Sequence, residues 1–189
     1  MIFSKTIISM IELIIFIFFI IVIGLIGIYS VITGISPMPS SSEAKKVALS
    51  EIQHLVKRMK KPYFTLYELG AGWGGIAFML AKAFPQAKLI AYELSPIPYL
   101  YMQLIKKFTK LENLILKRQS FLDISFKDAD ILFAYLYKAA MPPISDKFKN
   151  ESQIGTYLIS NSFACYDLKL IRSIHLQGFL SHDLLIYQK

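Results

Sequence analysis

Tyr63-Phe64-Thr65-Leu66-Tyr67-Glu68-Leu69-Gly70-Ala71-Gly72-Trp73-Gly74-Gly75-Ile76-Ala77-Phe78-Met79-Leu80-Ala81 is the stretch that decides the fold. Its first residues read as an extended strand, and the run from Ile76 to Ala81 reads as an apolar helix. Between them stand an acid and a Gly-x-Gly-x-Gly turn, Glu68 to Gly74. Glycines let a backbone take positive φ and let a ligand approach closely, so a strand, acid and glycine turn opening a helix make a nucleotide cradle. Glycine-rich turns are common on their own. The position of this one adds weight, because roughly twenty residues on a second apolar strand, Leu89 to Tyr92, ends in Glu93, where an acid suits ribose hydroxyls.

Two cofactors fit this pair of turns. A dinucleotide places its pyrophosphate at a helix N-terminus, where N–H groups and the dipole favour anions. S-adenosylmethionine has no phosphate and carries an ammonium and a sulfonium. Glu68 repels a phosphate and suits a cation, so the sequence favours S-adenosylmethionine. A tight strand-to-helix turn with no ligand is the plain alternative. The candidate cofactor residues are Glu68, Gly70, Ala71, Gly72, Trp73, Gly74, Glu93 and Leu94.

Beyond the turn, strands and helices alternate. Helical residues are predicted at 75–84, strand at 88–93, and a helix from Pro96 to Phe108 with proline in its first turn. Strands are predicted at 114–118, 131–136 and 156–163. Ile131 to Leu136 is an apolar run suited to a central parallel strand. Met141-Pro142-Pro143 is predicted to break the chain before a short helix at 146–151, and residues 170–176 and 183–187 to pair antiparallel around Gly178. The pattern predicts a three-layer α/β domain with helices on both faces of the sheet.

Upstream, no charged residue occurs from Leu13 to Ile35. That span is long enough to cross a bilayer core of roughly 30 Å, and a signal peptide is the rival reading. The expected organisation is a membrane anchor at 1–35, a Pro- and Ser-rich linker at 36–42, and a catalytic domain at 43–189. Ser40 with Glu43 reads as a capping box, and Ala48, Ile52, Leu55, Val56 and Met59 recur at helical spacing. Lys45, Lys46, Lys57 and Arg58 lie off that stripe and either attract anionic headgroups or form a solvated face. The chain carries a formal charge of +8, and the basic residues cluster after the span, which places the domain in the cytoplasm. No nucleic-acid recognition motif is present, no Cys/His cluster has metal-ligand spacing, and the single Cys165 excludes an internal disulfide.

Glu68-Leu69-Gly70-Ala71-Gly72 with Glu93 resembles the first two motifs of class I S-adenosylmethionine-dependent methyltransferases. The layout of a single span, a Pro-x-Pro linker (Ser36 to Pro39), a basic helix and a small core looks like the membrane-anchored lysine methyltransferases of the mitochondrial nucleotide carrier and ATP synthase c-subunit, with their prokaryotic relatives. Asp128 to Leu136 resembles their fourth strand, and Ser160-Asn161-Ser162-Phe163 their Ser-Asn-x-Phe element. The resemblance implies a Rossmann-like, mostly parallel seven-stranded sheet, S-adenosylmethionine as cofactor, a membrane protein as acceptor, and neither metal nor nucleic acid. That family often carries an acid at the position of Trp73, a basic residue at that of Gly75, and Gly-Asp-Phe where this chain has Gln119-Ser120-Phe121. Ser120, Phe121 and the nearby Asp123 therefore join the candidate cofactor residues.

Methyl transfer to a lysine requires a neutral amine, which a dry pocket favours by lowering the amine pKa. Aromatic walls accept the methylated cation. Tyr135, then Tyr137, are the candidates for lining that pocket, and no general base is evident. A methyltransferase acting on a lipid or quinone-like molecule, and a non-catalytic scaffold with a cofactor fold, stay open beside the protein-lysine reading.

Overall fold

The structure is a computed structural model and describes residues 2–33, 41–177 and 182–189. The chain forms two compact units, Met1–Ser36 and Pro37–Lys189. The first is the helix α1 (Ile2–Thr33). Within it Ser9–Val31, 23 residues, is long and apolar enough to cross a membrane by length and composition. At 1.5 Å per residue it extends about 34 Å. Ile35 and the linker residues 36–40 lie outside the described residues.

The second unit contains α2 (Ser42–Met59), β1 (Thr65–Leu69), α3 (Gly75–Ala83), β2 (Lys88–Tyr92), α4 (Pro96–Thr109), β3 (Leu114–Lys117), β4 (Ile131–Ala134), α5 (Met141–Glu151), β5 (Tyr157–Asn161), β6 (Leu170–Leu176) and β7 (His182–Gln188). The strands form one seven-stranded sheet in the order β3-β2-β1-β4-β5-β7-β6. β1 to β5 pair in parallel. β7 inserts antiparallel between β5 and β6. This is the Rossmann-like arrangement that the alternation of strands and helices predicts.

Strand alternation assigns the two faces. Ala91, Glu68, Phe133, Ile159 and Ile186 stand in register across five strands. All but Glu68 join one core with Ala48 and Ile52 of α2, Ala77 and Leu80 of α3, and Met102 of α4. Side chains one residue out of step point the other way. There Ser160 meets Met141 of α5, Oγ to Sδ 3.9 Å. Helices therefore cover both faces.

Several boundaries differ from the sequence expectation. Ser41, rather than Ser40, caps α2, its hydroxyl accepting from the Ala44 N–H at 3.1 Å. Glu43 is then too early in the helix to close a capping box, and it accepts from the Gln177 N–H at 3.0 Å instead. α5 begins at Met141, with Pro142 and Pro143 inside its first turn. N–H groups of that turn have no intrahelical partner, so proline costs nothing there. β4 ends at Ala134, leaving Tyr135 and Leu136 beyond the last paired rung. β5 stops at Asn161 because Ser162, at φ 83°, turns the chain out of the sheet.

Asn113, ahead of β3, fastens a helix end to the sheet. Its Nδ2 donates to the carbonyls of Ala81 and Phe84, both at 3.0 Å, at the close of α3. Asn113→Ala is expected to lower stability by about 1–2 kcal/mol, read as a lower melting temperature of the detergent-solubilised chain.

Candidate functional site

The strand order reverses between β1 and β4, with β2 on one side of β1 and β4 on the other. Ligands of open α/β sheets bind at such a switch point, beyond the carboxyl ends of the strands. The glycine turn lies there. The N–H groups of Gly70 and Ala71 both donate to the Tyr92 carbonyl, at 3.0 and 2.8 Å, which ties the turn to the end of β2. Gly70 and Gly74 have φ of 75° and 79°. A Cβ at Gly70 would lie 2.4 Å from Leu136 Cδ2, and one at Gly74 would lie 2.8 Å from Met102 and Phe78. Both positions thus need glycine for conformation and for space. At Gly72 a Cβ would meet nothing within 4 Å, so the middle of the turn faces open space.

The two acids bracket this turn. Glu93 accepts from the Gly72 N–H through Oε2 and from the Ser95 N–H through Oε1, both at 2.7 Å. Glu68 is buried, and the Ala77 N–H in the first turn of α3 hydrogen-bonds its carboxyl group. Its Oε2 is buried with no hydrogen-bond partner among the described residues. Burial, followed by the negative charge of Glu93, pushes the Glu68 carboxyl up to about 8. A cation brought to Oε2 would both satisfy the orphaned oxygen and restore the charged form. An ammonium has that chemistry and a phosphate does not, so these residues fit S-adenosylmethionine.

Lys45 is a site residue that the sequence reading assigned elsewhere. It is half-buried on α2 rather than fully solvent-facing. Its Nζ lies 2.9 Å from where a Cβ of Gly75 would stand, and its charge acts on Glu68. The missing side chain at Gly75 leaves the space that this ammonium occupies. Only the docking of α2 on the sheet reveals it.

The remaining candidates fall around the turn. Trp73 packs edge-to-face on Tyr101 of α4, ring centroids 5.4 Å apart. Leu94 follows Glu93 and is 38% exposed, an apolar surface open to a flat ring. Ser120 caps the short 3-10 turn Phe121–Asp123, its hydroxyl accepting from the Leu122 N–H at 3.2 Å. Leu122 of that turn is also exposed, which the sequence did not single out. Asp123 closes the same turn on the solvent side. Tyr135 stands one rung past Ala134, next to Gly70 in the β1–β4 register. Its ring stacks on His182, centroids 6.3 Å apart and planes 8° from parallel. His182 also lines a cleft of about 590 Å³ with Lys138, Phe163, Tyr166, His175 and Asp183. Tyr137 is half-buried at the start of the 3-10 turn Lys138–Ala140. Among the described residues no group of His, Cys, Asp and Glu could hold a metal ion. Cys165 is buried, and burial with the charge of Asp167 raises its thiol to about 12, which leaves it unreactive.

The position of Glu68 sets a pH dependence. Below pH 8 the free site holds a proton on Glu68, and a bound ammonium expels it. Affinity for S-adenosylhomocysteine is therefore expected to climb as pH rises toward 8, by at most about tenfold per unit, and then to level off. Calorimetry at pH 7 in buffers of different ionisation heat should show proton release. Glu68→Gln should bind more weakly, without the portion of that release due to this carboxyl. Comparing the two proteins removes the contribution of the ligand's own amine.

Solved structures with this fold include an RNA methyltransferase from Salinibacter ruber in complex with S-adenosyl-L-homocysteine. It superposes with a TM-score of 0.68 at 16% identity, over 80% of this chain and 93% of that one. A precorrin-6y C5,15-methyltransferase from Geobacter metallireducens GS-15 gives 0.60 at 15% identity, over 80% and 90%. A magnesium protoporphyrin IX methyltransferase from Synechocystis PCC 6803 with bound SAM gives 0.59 at 15%, over 77% and 79%. At these identities the likeness is one of fold. No curated protein matches the sequence significantly. The family model described as the ANTKMT methyltransferase domain matches residues 68–172, from the buried acid of the glycine turn into β6. That match spans more than half of the 189 residues, and the chain belongs to the ANTKMT methyltransferase domain family.

Proposed function

We propose that this methyltransferase transfers a methyl group from S-adenosylmethionine to a lysine of a membrane protein, and that α1 anchors it with the catalytic domain on the cytoplasmic side. The observation that carries the reading is the aromatic wall at the end of β4. Tyr135, stacked on His182, stands one strand from the glycine turn of a lysine-methyltransferase family. The apolar helix α1 supports the location.

When bound, S-adenosylmethionine supplies an electrophilic methyl on a sulfonium. The chain supplies position and dryness. Glu68 Oε2 would hold the ammonium, and Glu93, already fixed by two backbone N–H groups, would accept from the ribose hydroxyls. Leu94 and Leu122 offer apolar surface to the adenine. Tyr135 and the buried strand ends around it exclude water from the acceptor. A lysine ammonium loses solvation there and gives up its proton more readily, which yields the neutral nucleophile. The Tyr135 ring then accepts the methylated cation on its π face.

Tethering explains the anchor. In this reading α1 confines the catalytic domain to the layer at the membrane surface. Confinement to that layer raises the effective concentration of a membrane-borne acceptor toward millimolar. Removal of the residues before Ser36 should leave cofactor binding intact and cut methylation of native membranes by about 100-fold. Labelled methyl should appear as methyllysine after hydrolysis of the membrane protein fraction. Label in extracted lipid, or equal turnover by full-length and truncated chains, would overturn the reading.

A further inference from the structure

Asn161 is the last residue of β5 and is 1% exposed. Both polar atoms of its side chain, Oδ1 and Nδ2, are buried with no hydrogen-bond partner among the described residues. A primary amide offers two donors and an acceptor, and leaving such a group unsatisfied in a protein interior is costly. Such a group calls for a partner, and a bound substrate is one source of it.

Register shows what the amide is beside. Ala134 pairs with Ser160, so Tyr135 and Asn161 are adjacent one rung further along. Asn161 pairs with Leu184 on its other side, and His182 follows two residues along β7 on the same face. Tyr135 therefore reaches His182 across the strand that carries Asn161. Ser160 points to the opposite face, toward Met141, so the amide of Asn161 shares the face of Glu68, Phe133 and Tyr135. From Gly70 to Asn161 is two strand spacings, about 10 Å. The row along the carboxyl ends of the strands thus runs from the cofactor turn through an aromatic wall to an unpaired amide.

We infer that Asn161 is an acceptor-binding residue whose Oδ1 accepts a hydrogen bond from the amine to be methylated, holding it over the ring of Tyr135. This rests on the lysine reading above. The amide suits the task because it is neutral. A carboxylate there would stabilise the ammonium and keep the proton on the nucleophile, whereas an amide oxygen orients the amine with less effect on its pKa. In the step itself the ammonium first gives a proton to solvent. The nitrogen lone pair then forms the N–C bond, the C–S bond breaks, and its electron pair stays on sulfur. One remaining N–H points at Oδ1 and fixes the direction of the lone pair.

The test uses the full chain with membranes lacking the protein as acceptor, and three readouts. Asn161→Leu, of similar volume, should raise the melting temperature by roughly 2–5 °C, because it removes an unsatisfied group. It should leave S-adenosylhomocysteine affinity unchanged and cut methyllysine formation by about 100-fold. Asn161→Asp should keep cofactor binding and move the acid limb of the pH–rate profile upward by about one unit, since its carboxylate holds the acceptor in the ammonium form. A lower melting temperature for Asn161→Leu, or wild-type turnover with an unmoved pH profile, would overturn the assignment while the lysine reading stood. If wild-type protein labels lipid and no lysine, the lysine reading falls and this assignment falls with it.

Discussion

Two carboxyl groups buried behind one turn repel each other, and the site depends on how the chain contains that repulsion. Glu93 is held as an acceptor of two backbone N–H groups. Glu68 has one such N–H and an orphaned oxygen, and burial, followed by the charge of Glu93, raises its affinity for a proton. The asymmetry divides the work. Glu93 is a finished structural clamp between Gly72 and Ser95. Glu68 is an unfinished site that a cation completes. The same turn could not treat a phosphate this way, because either acid would oppose it.

The turn meets the end of β4 through packing rather than through charge. Leu136 lies where a side chain on Gly70 would have to go, so the end of β4 is packed against the cofactor turn with no slack. Tyr135 is covalently next to that contact. A side chain at residue 70 would press on Leu136 and, through it, on the neighbouring Tyr135. Met102 performs the matching task at Gly74 from α4.

Much of the fold was legible because its signals are local. Apolar runs of four to six residues, glycines at a strand end and an acid after the next strand are visible without tertiary information. Pro142 and Pro143 misled, since a proline pair reads as a break until the first turn of a helix is seen to contain it. The glycine turn and its two flanking acids could be read for the same reason as the strands. Lys45 could not, because three other cations of α2 share its composition and only the rotation of the helix on the sheet separates it from Lys46, Lys57 and Arg58. Asn161 and His182 were visible as residues and silent as a site. Their neighbourhood arises from β7 inserting beside β5, a pairing of segments more than twenty residues apart.

Lys45 and the vacant side of Gly75 share one volume, and a side chain at residue 75 would have to push the Lys45 ammonium away from Glu68. Substitutions at the two positions are therefore expected not to add, because residues that share a space are energetically coupled. What residue 75 tolerates is set in part by a helix that lies outside the segment the family model matches.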